Sequence, residues 1–415
     1  GSLTVTTRTD LLANLVFSNL LRNAIKFSPH GATLRLSARR DGKGTRIALA
    51  DEGAGLPAGM LASLDPHSGF LDRTDFNSLR TQIDGEYGGL GLTVTMEDEA
   101  VKVIAPTKDT PADKAGIKSG DFITHLDGKL IVGGTLDEAV EAMRGAPGTT
   151  IKLSIFRPGR DAPFDLTLTR AIIDLKPVRW EVKDRIGIIS VTGFSEQTGA
   201  DVVAAVAGIK KTLGGNPLGY IVDLRSNPGG ILDEAVAVSD AFLTKGEIVS
   251  ERGRDKNDIN HWWAERAVPG DVTNGAPIIV LVDAGSASAS EIVAGALQDN
   301  HRALVMGERS FGKGSVQNVL PLTRDTGLRL TVARYHLPSG RSVQEGGIKP
   351  DIQVPQLSDP DYKKRIAIRE TDLRRHLVNE IADDSKELEE DIADDPRFTM
   401  TAEQLKAKGI EDFQL

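Results

Sequence analysis

Residues 278–291 read Ile278-Ile-Val-Leu-Val-Asp-Ala-Gly-Ser-Ala-Ser-Ala-Ser-Glu291. An apolar, mostly β-branched run of this kind makes a strand buried on both faces. The small residues after Asp283 let the chain turn sharply into a helix, expected over 288–298. The same alternation recurs on either side. Apolar strands at 186–191, 219–224, 277–283 and 303–306 are separated by helical patterns at 197–213, 231–243 and 288–298. Strands alternating with helices predict an α/β layer structure.

A serine at a strand-to-helix junction sits beside unpaired helix N–H groups and the positive end of the helix dipole, both of which stabilise a developing oxyanion. A plainer reading competes: Ser286 or Ser288 caps the helix, and Glu291 completes a capping box three residues after Ser288. A second segment bears on the choice. After strand 303–306 comes Gly307-Glu-Arg-Ser-Phe-Gly-Lys-Gly-Ser-Val-Gln317. Lys313 lies between two glycines in apolar surroundings, and a desolvated lysine has its pKa depressed and acts as a neutral base. Gln317, four residues on, is spaced to hold the amine. The seven histidines form no triad signature and there is no Gly-x-Ser-x-Gly elbow, so lysine is the better partner for a serine nucleophile. The spacing Gly307-x4-Gly312-Lys313 nearly spells a phosphate-binding P-loop, but Gly314 stands where Mg²⁺ coordination needs Ser or Thr, and 315–335 looks strand-like. A third segment, Asp223-Leu-Arg-Ser-Asn-Pro-Gly-Gly230, is either a plain Pro-Gly turn or a backbone N–H donor paired with the N–H that follows the nucleophile.

The chain has 415 residues, 43 of them Gly, and a net charge of −9. At about 150 residues per domain it holds two or three domains. No cysteine is present, which excludes disulfides, Cys zinc sites, iron–sulfur clusters and a Cys nucleophile. The acidic balance argues against a nucleic-acid binder. No apolar run reaches the 18 residues of a membrane span. Gly1-Ser2 reads as a cleavage scar, and localisation is not legible at the N-terminus.

Upstream of the α/β region, short strands are expected at 92–96, 101–104, 149–156 and 164–170, with a helix at 136–144. Farther upstream, Leu12, Leu15, Val16, Leu20 and Ile25 predict an amphipathic helix over 10–27, followed by strands at 33–38 and 45–50. Beyond Pro355 the chain turns charged, and a helical tail is expected. Its residues 383–395 hold eight acids and one Lys, the signature of a solvated face or linker.

From about Met60 to Val354 the chain resembles the carboxyl-terminal processing (tail-specific) proteases. The resemblance rests on Leu64-Asp-Pro-His-Ser-Gly-Phe70, Gly85-Glu-Tyr-Gly-Gly-Leu-Gly91, Asp223–Gly230, Gly285-Ser-Ala-Ser-Ala-Ser-Glu291, Phe311-Gly-Lys-Gly-Ser-Val-Gln317 and Gly347-Ile-Lys-Pro-Asp351. It implies a mixed α/β protein: a PDZ domain, a crotonase/ClpP-like Ser–Lys peptidase core and a short α+β N-terminal fragment. Ser288 would be the nucleophile, Lys313 the base and Gln317 its support. Gly229 or Gly230, with Ala289, would supply the oxyanion N–H groups. In the PDZ domain, Gly89, Leu90, Gly91 and Leu92 would form the loop that holds a substrate's terminal carboxylate, with helix 136–144 as the other wall of the groove; the alternative is a closed loop that binds nothing. The implied partners are proteins or peptides with free C-termini, the implied location is extracytoplasmic (bacterial periplasm), and neither metal nor cofactor is called for. Homo-oligomerisation is left open.

The first 59 residues instead resemble the ATP-binding domain of sensor histidine kinases. Asn19-Leu-Leu-Arg-Asn-Ala-Ile-Lys-Phe-Ser-Pro29 looks like the box with a Mg²⁺-binding Asn23 and a phosphate-binding Lys26, and Asp51-Glu-Gly-Ala-Gly-Leu-Pro57 like the adenine-binding loop. Such a fragment is too short for a complete nucleotide pocket. The expected organisation is therefore a kinase-like fragment over 1–59, a protease cap over 60–87, a PDZ domain over 88–176, a peptidase core over 177–355 and a charged tail over 356–415. The expected function is a serine endopeptidase that recognises C-termini. The alternatives are an inactive PDZ adaptor or, behind it, an ATP-binding module.

Overall fold

In a computed structural model of the chain, the described residues are 2–7, 34–41, 44–51, 61, 63–97, 100–131, 133–160, 162–255, 257–264, 270–362, 367–378 and 398–415. They form two compact units, residues 1–77 with 178–415, and residues 78–177. The expected cap over 60–87 is thus divided between the two. The helix expected over 10–27, the boxes with Asn23 and Lys26, the loop after Asp51 and the acidic run 383–395 lie outside the described residues. Of the N-terminal fragment the structure describes an antiparallel sheet in the order β1 (Ser2–Thr7), β3 (Gly44–Asp51), β2 (Leu34–Asp41). Strand β4 (Gly69–Leu71) and helix α1 (Arg73–Asp84) follow.

In the 78–177 unit, β5 (Glu86–Gly89) pairs with β12 (Ala171–Asp174). A second sheet runs β11 (Phe164–Thr169), β10 (Thr150–Phe156), β8 (Phe122–Leu126), β7 (Ala100–Pro106), β6 (Leu92–Glu97), and β9 (Lys129–Leu130) pairs with β8. Alternation sets the core: in β10, Ile151, Leu153 and Ile155 are buried while Lys152 is exposed. Helix α2 (Pro111–Lys114) is a single turn. Helix α3 (Leu136–Met143) starts on a capping box of Thr135 and Glu138 and buries Ala139 and Met143.

The other unit is built on a six-stranded sheet ordered β13 (Val178–Lys183), β14 (Ile186–Val191), β15 (Gly219–Asp223), β18 (Ile278–Val282), β19 (Leu304–Gly307), β22 (Ile352–Gln353). All its pairings are parallel except that of edge strand β13. Helices α4 (Thr198–Leu213), α5 (Leu232–Asp240) and α6 (Ala289–Asp299) are the crossovers. In α4 the buried Val202, Ala205, Val206 and Ile209 fall three and four residues apart, a single helical face. They join Ile189, Val191, Val222, Val280, Val282 and Val305 in the main core. Each such aliphatic side chain contributes about 1.5–3 kcal/mol on burial. On the other face of the sheet Ile188, Ile221 and Leu281 are buried together. An antiparallel sheet, β17 (Ile259–Trp263), β16 (Glu247–Gly253), β21 (Gly327–His336), β20 (Ser315–Pro321), completes the unit, with β4 pairing β21.

The strands and helices expected between 186 and 306 fall within one or two residues of these, except that α5 ends at Asp240 rather than 243. The helical tail needs correction. Residues 367–378 hold only a 3₁₀ turn, Glu370–Asp372, and the one α-helix in the described tail is α7 (Ala402–Ala407).

Candidate active site

The chain leaves β18 at Asp283, whose carboxylate gathers the turn: Oδ1 accepts the N–H groups of Ser226 at 2.7 Å and Gly285 at 2.9 Å. The three serines that follow are unequal. Ser286 is buried and its hydroxyl donates to the Leu224 carbonyl at 2.8 Å; Ser290 is buried and donates to the Asn227 carbonyl at 2.9 Å. Ser288, between them, is half-buried. It has φ +55° and ψ −112°, a strained conformation for a residue with a Cβ. The capping alternative for Ser286 is therefore overtaken by a turn role, and Ser288 is the residue presented at the N-terminus of α6.

Glu291 is fully buried, and both its oxygens are in use. Oε2 accepts the Ser288 N–H at 2.7 Å and the Lys313 N–H at 3.0 Å; Oε1 accepts the Gly312 N–H at 2.7 Å and the Ser310 hydroxyl at 2.6 Å. One carboxylate thus holds the serine turn and the lysine loop together. Burial pushes its pKa up to about 7, against the pull of these four donors. The carboxylate does serve the turn at Ser288, as a capping box would, but it also anchors a loop twenty residues away in sequence.

The segment from β19 to β20 carries Lys313. It runs from strand to strand, not into a helix, so the P-loop spacing has no P-loop geometry. Among the described residues no side chain bonds Lys313 Nζ. Burial lowers its pKa, helped by the Arg329 charge and opposed by Glu370, Glu291 and Asp65. The Tyr335 hydroxyl donates to the Lys313 carbonyl and lies in hydrogen-bonding reach of the Ser288 side chain. Gln317 differs from expectation: its amide donates to Ser315 Oγ at 2.9 Å and Thr331 Oγ1 at 3.4 Å, not to the Lys313 amine.

The turn after β15 separates the two glycine alternatives. Gly229 N–H donates to Asn227 Oδ1 at 2.9 Å, while Asn227 Nδ2 donates to the Val191 carbonyl at 2.7 Å. Gly229 is therefore spent on the turn, and among the described residues Gly230 and Ala289 keep their N–H groups free of a backbone acceptor. Both glycines have positive φ, and a Cβ on Gly229 would lie 2.8 Å from the Cβ of Ser288. The turn thus runs directly against the serine. Arg225 braces it, bridging Asp223 at 2.6 Å and Asp412 at 2.8 Å.

Residues that sequence reading passed over complete the surroundings. Asp65 accepts the N–H groups of His67 and Ser68, the Ser68 hydroxyl and the Thr331 hydroxyl. Glu370, from the tail, is fully buried. Asn227 and Tyr335 belong with them. The quoted motifs around Asp65 and Asn227 were the available signal; Glu370 had none.

In the 78–177 unit, Gly89 closes strand β5 instead of lying in the loop, and Leu90 is buried. Gly91, at φ +77°, accepts the Thr107 N–H through its carbonyl at 2.9 Å, and Leu92 opens β6. Leu92, Val94, Leu136 and Val140 line β6 and α3 half-buried against that unit's core.

A half-buried lysine, a strained serine and free N–H groups at a helix start are the equipment of a serine peptidase. Residues 185–354 match peptidase family S41, and residues 88–168 match the PDZ domain. The chain is 51% identical over 321 residues to a carboxy-terminal-processing protease of Bartonella bacilliformis, covering 77% of this chain and 73% of that one. It is 36% identical over 310 residues to the carboxy-terminal processing protease CtpA of Bacillus subtilis, covering 74% and 64%. A solved structure of a photosystem II D1 C-terminal processing protease aligns over 81% of this chain and 86% of that one at 28% identity and a TM-score of 0.45. The chain belongs to the carboxy-terminal processing proteases, serine peptidases of family S41 that carry a PDZ domain. Neither family match reaches the first 59 residues. No described helix is long and apolar enough to cross a membrane.

Proposed function

We propose that this chain cleaves protein or peptide substrates captured by their C-termini, with Ser288 as nucleophile and Lys313 as general base. The observation that carries this reading is the pair of hydrogen bonds to Glu291 Oε2 from the Ser288 and Lys313 N–H groups. Neutral Lys313 takes the hydroxyl proton as Ser288 Oγ bonds to the scissile carbonyl carbon. The N–H groups of Gly230 and Ala289 receive the oxyanion. The intermediate collapses, the C–N bond breaks, and the leaving amine takes the proton back from the Lys313 ammonium. Water, deprotonated by Lys313, then hydrolyses the acyl ester and frees the serine. Gln317 supports the lysine through Ser315 and Thr331 rather than by gripping the amine. The loop at Leu90–Leu92 holds the substrate's terminal carboxylate, its chain added along β6. The setting is extracytoplasmic. No step calls for a nucleotide.

The test uses the full chain and an unfolded substrate with a free C-terminal tail. Ser288→Ala and Lys313→Ala abolish cleavage while the circular dichroism spectrum and tail binding are retained. Undiminished hydrolysis by either variant overturns the assignment. Binding of the tail by the wild type without turnover establishes the adaptor reading instead.

A further inference from the structure

The tail supplies a buried acid for which the mechanism above has no use. Glu370 is completely buried, and His67, only 12% exposed, approaches both its oxygens through Nε2 at 2.9 Å. Gln344 Nε2 donates to Glu370 Oε1 at 3.0 Å, and Gln344 Oε1 accepts the Gly314 N–H at 3.0 Å. The Glu370 main chain and the Arg369 guanidinium grip the same loop. Its own N–H donates to the Phe311 carbonyl at 3.2 Å, and Arg369 donates to the carbonyls of Arg309 at 3.1 Å and Ser310 at 2.9 Å. Glu370 therefore reaches the lysine loop at both ends, before Lys313 through the backbone and after it through Gln344.

We propose that Glu370 is a positioning residue for the reaction, fixing the 309–314 loop and adding its negative charge to the field at Lys313, with His67 as the partner that holds it there. The inference rests on the reading of Lys313 as base. Four charged groups act on that lysine: Arg329 from β21, Glu291 from α6, Asp65 from the 64–68 turn and Glu370 from the tail. Arg329 is tied to the same assembly, its Nε donating to the His67 carbonyl at 2.7 Å. Packing alone does not account for an acid among these groups, since a buried carboxylate is costly to desolvate even with partners and a leucine of similar size is not. Removing its charge takes away a term that favours the ammonium form, so neutral Lys313 becomes available at lower pH.

The experiment compares pH profiles of kcat/KM for the wild-type chain, Glu370→Gln, His67→Gln and Lys313→Ala on one tailed substrate. Glu370→Gln lowers kcat by about 10- to 100-fold through loss of loop geometry, leaves KM nearly unchanged, and moves the acid limb to lower pH. His67→Gln keeps the carboxylate charge; it lowers kcat and leaves the limb in place or moves it up. A folded Glu370→Gln protein with wild-type kcat, or with its limb unmoved, overturns the proposal. So does a downward move of the limb in His67→Gln, which is read whether or not Glu370→Gln folds. An active Lys313→Ala overturns the lysine reading itself, whereas an inactive one beside an unmoved Glu370→Gln limb overturns this proposal alone.

Discussion

The Ser288 N–H donates to Glu291 Oε2 at 2.7 Å, and that oxygen also takes the Lys313 N–H. The helix-capping acid and the anchor of the lysine loop are one residue. Its ionisation is consequently coupled to the stability of the site. The pKa of Glu291 rises from 4.5 in the open chain to about 7 in the fold, because burial outweighs its donors. A raised folded pKa stabilises fully below the unfolded value and ceases to do so as pH rises through the folded one. Stability against urea is therefore expected to fall as pH rises from about 4.5 to about 7, by up to about 1.4 kcal/mol per pH unit from this group. Glu291→Gln removes that slope and lowers kcat, since an amide has one acceptor oxygen for four donors.

As the proposed base, Lys313 would act when neutral, and its pKa lies below the ordinary lysine value of 10.5 because burial disfavours the charge. Activity should rise with pH through a midpoint lower than that. Lys313→Arg keeps the positive charge but does not deprotonate, so at least about a 100-fold loss is expected at every pH. A profile that is flat from neutral to alkaline pH in the wild type speaks against the lysine base.

Ser288 carries a side chain at φ +55°. Ser288→Gly relieves that strain and is expected to raise the unfolding free energy by about 1 kcal/mol, offset in part by the greater freedom of glycine in the unfolded chain. Ser288→Ala keeps the Cβ and stays near wild type. Both are inactive. Calorimetry on the pair separates the contribution of the backbone from that of the hydroxyl.

Asn227 is fully buried and its side chain bonds both Gly229 N–H and the Val191 carbonyl. Asn227→Ala leaves both partners unsatisfied, at about 1–3 kcal/mol for each buried group. It also releases the turn that carries the Gly230 N–H, the proposed oxyanion donor. A fall in kcat of about 100-fold is expected, together with a lower urea midpoint. A fall in stability with kcat intact would mean that the turn holds its shape without the amide.

A Cβ on Gly91 would lie 2.4 Å from the Cβ of Thr110, at a φ of +77°. Gly91→Ala should therefore distort the turn from β5 to β6 and weaken binding of a labelled tail peptide by more than about tenfold, measured by fluorescence anisotropy on the full chain.

Much of this was legible in the chain. Ile278–Val282 is apolar on both faces because the strand is central and parallel, and such runs announce themselves without tertiary information. The Ser288 and Lys313 segments stood out through small residues packed around one polar group. Glu370 did not. It sits in a charged stretch expected to be helical, and contacts distant in sequence, with His67 303 positions away and with Gln344, bury it. Charge patterning reports what a segment prefers alone, and here tertiary hydrogen bonds override that preference. The choice between Gly229 and Gly230 was equally out of reach, because it turns on which N–H the Asn227 side chain occupies. Glu291 lay between these cases: its spacing to Ser288 was visible, its bonds to Gly312 and Lys313 were not.

The bonds from Arg369 and Glu370 to the lysine loop have a consequence for how the chain is made. Synthesis reaches the proposed nucleophile at residue 288 and the proposed base at residue 313 before it reaches residue 370. A nascent chain still short of that point lacks the clasp on residues 309–314, so the peptidase site is incomplete while most of the polypeptide is already outside the ribosome. On the proposed reading, a chain that ends before residue 370 is expected to show at least the roughly 10- to 100-fold lower kcat of Glu370→Gln, although it already holds residues 288 and 313.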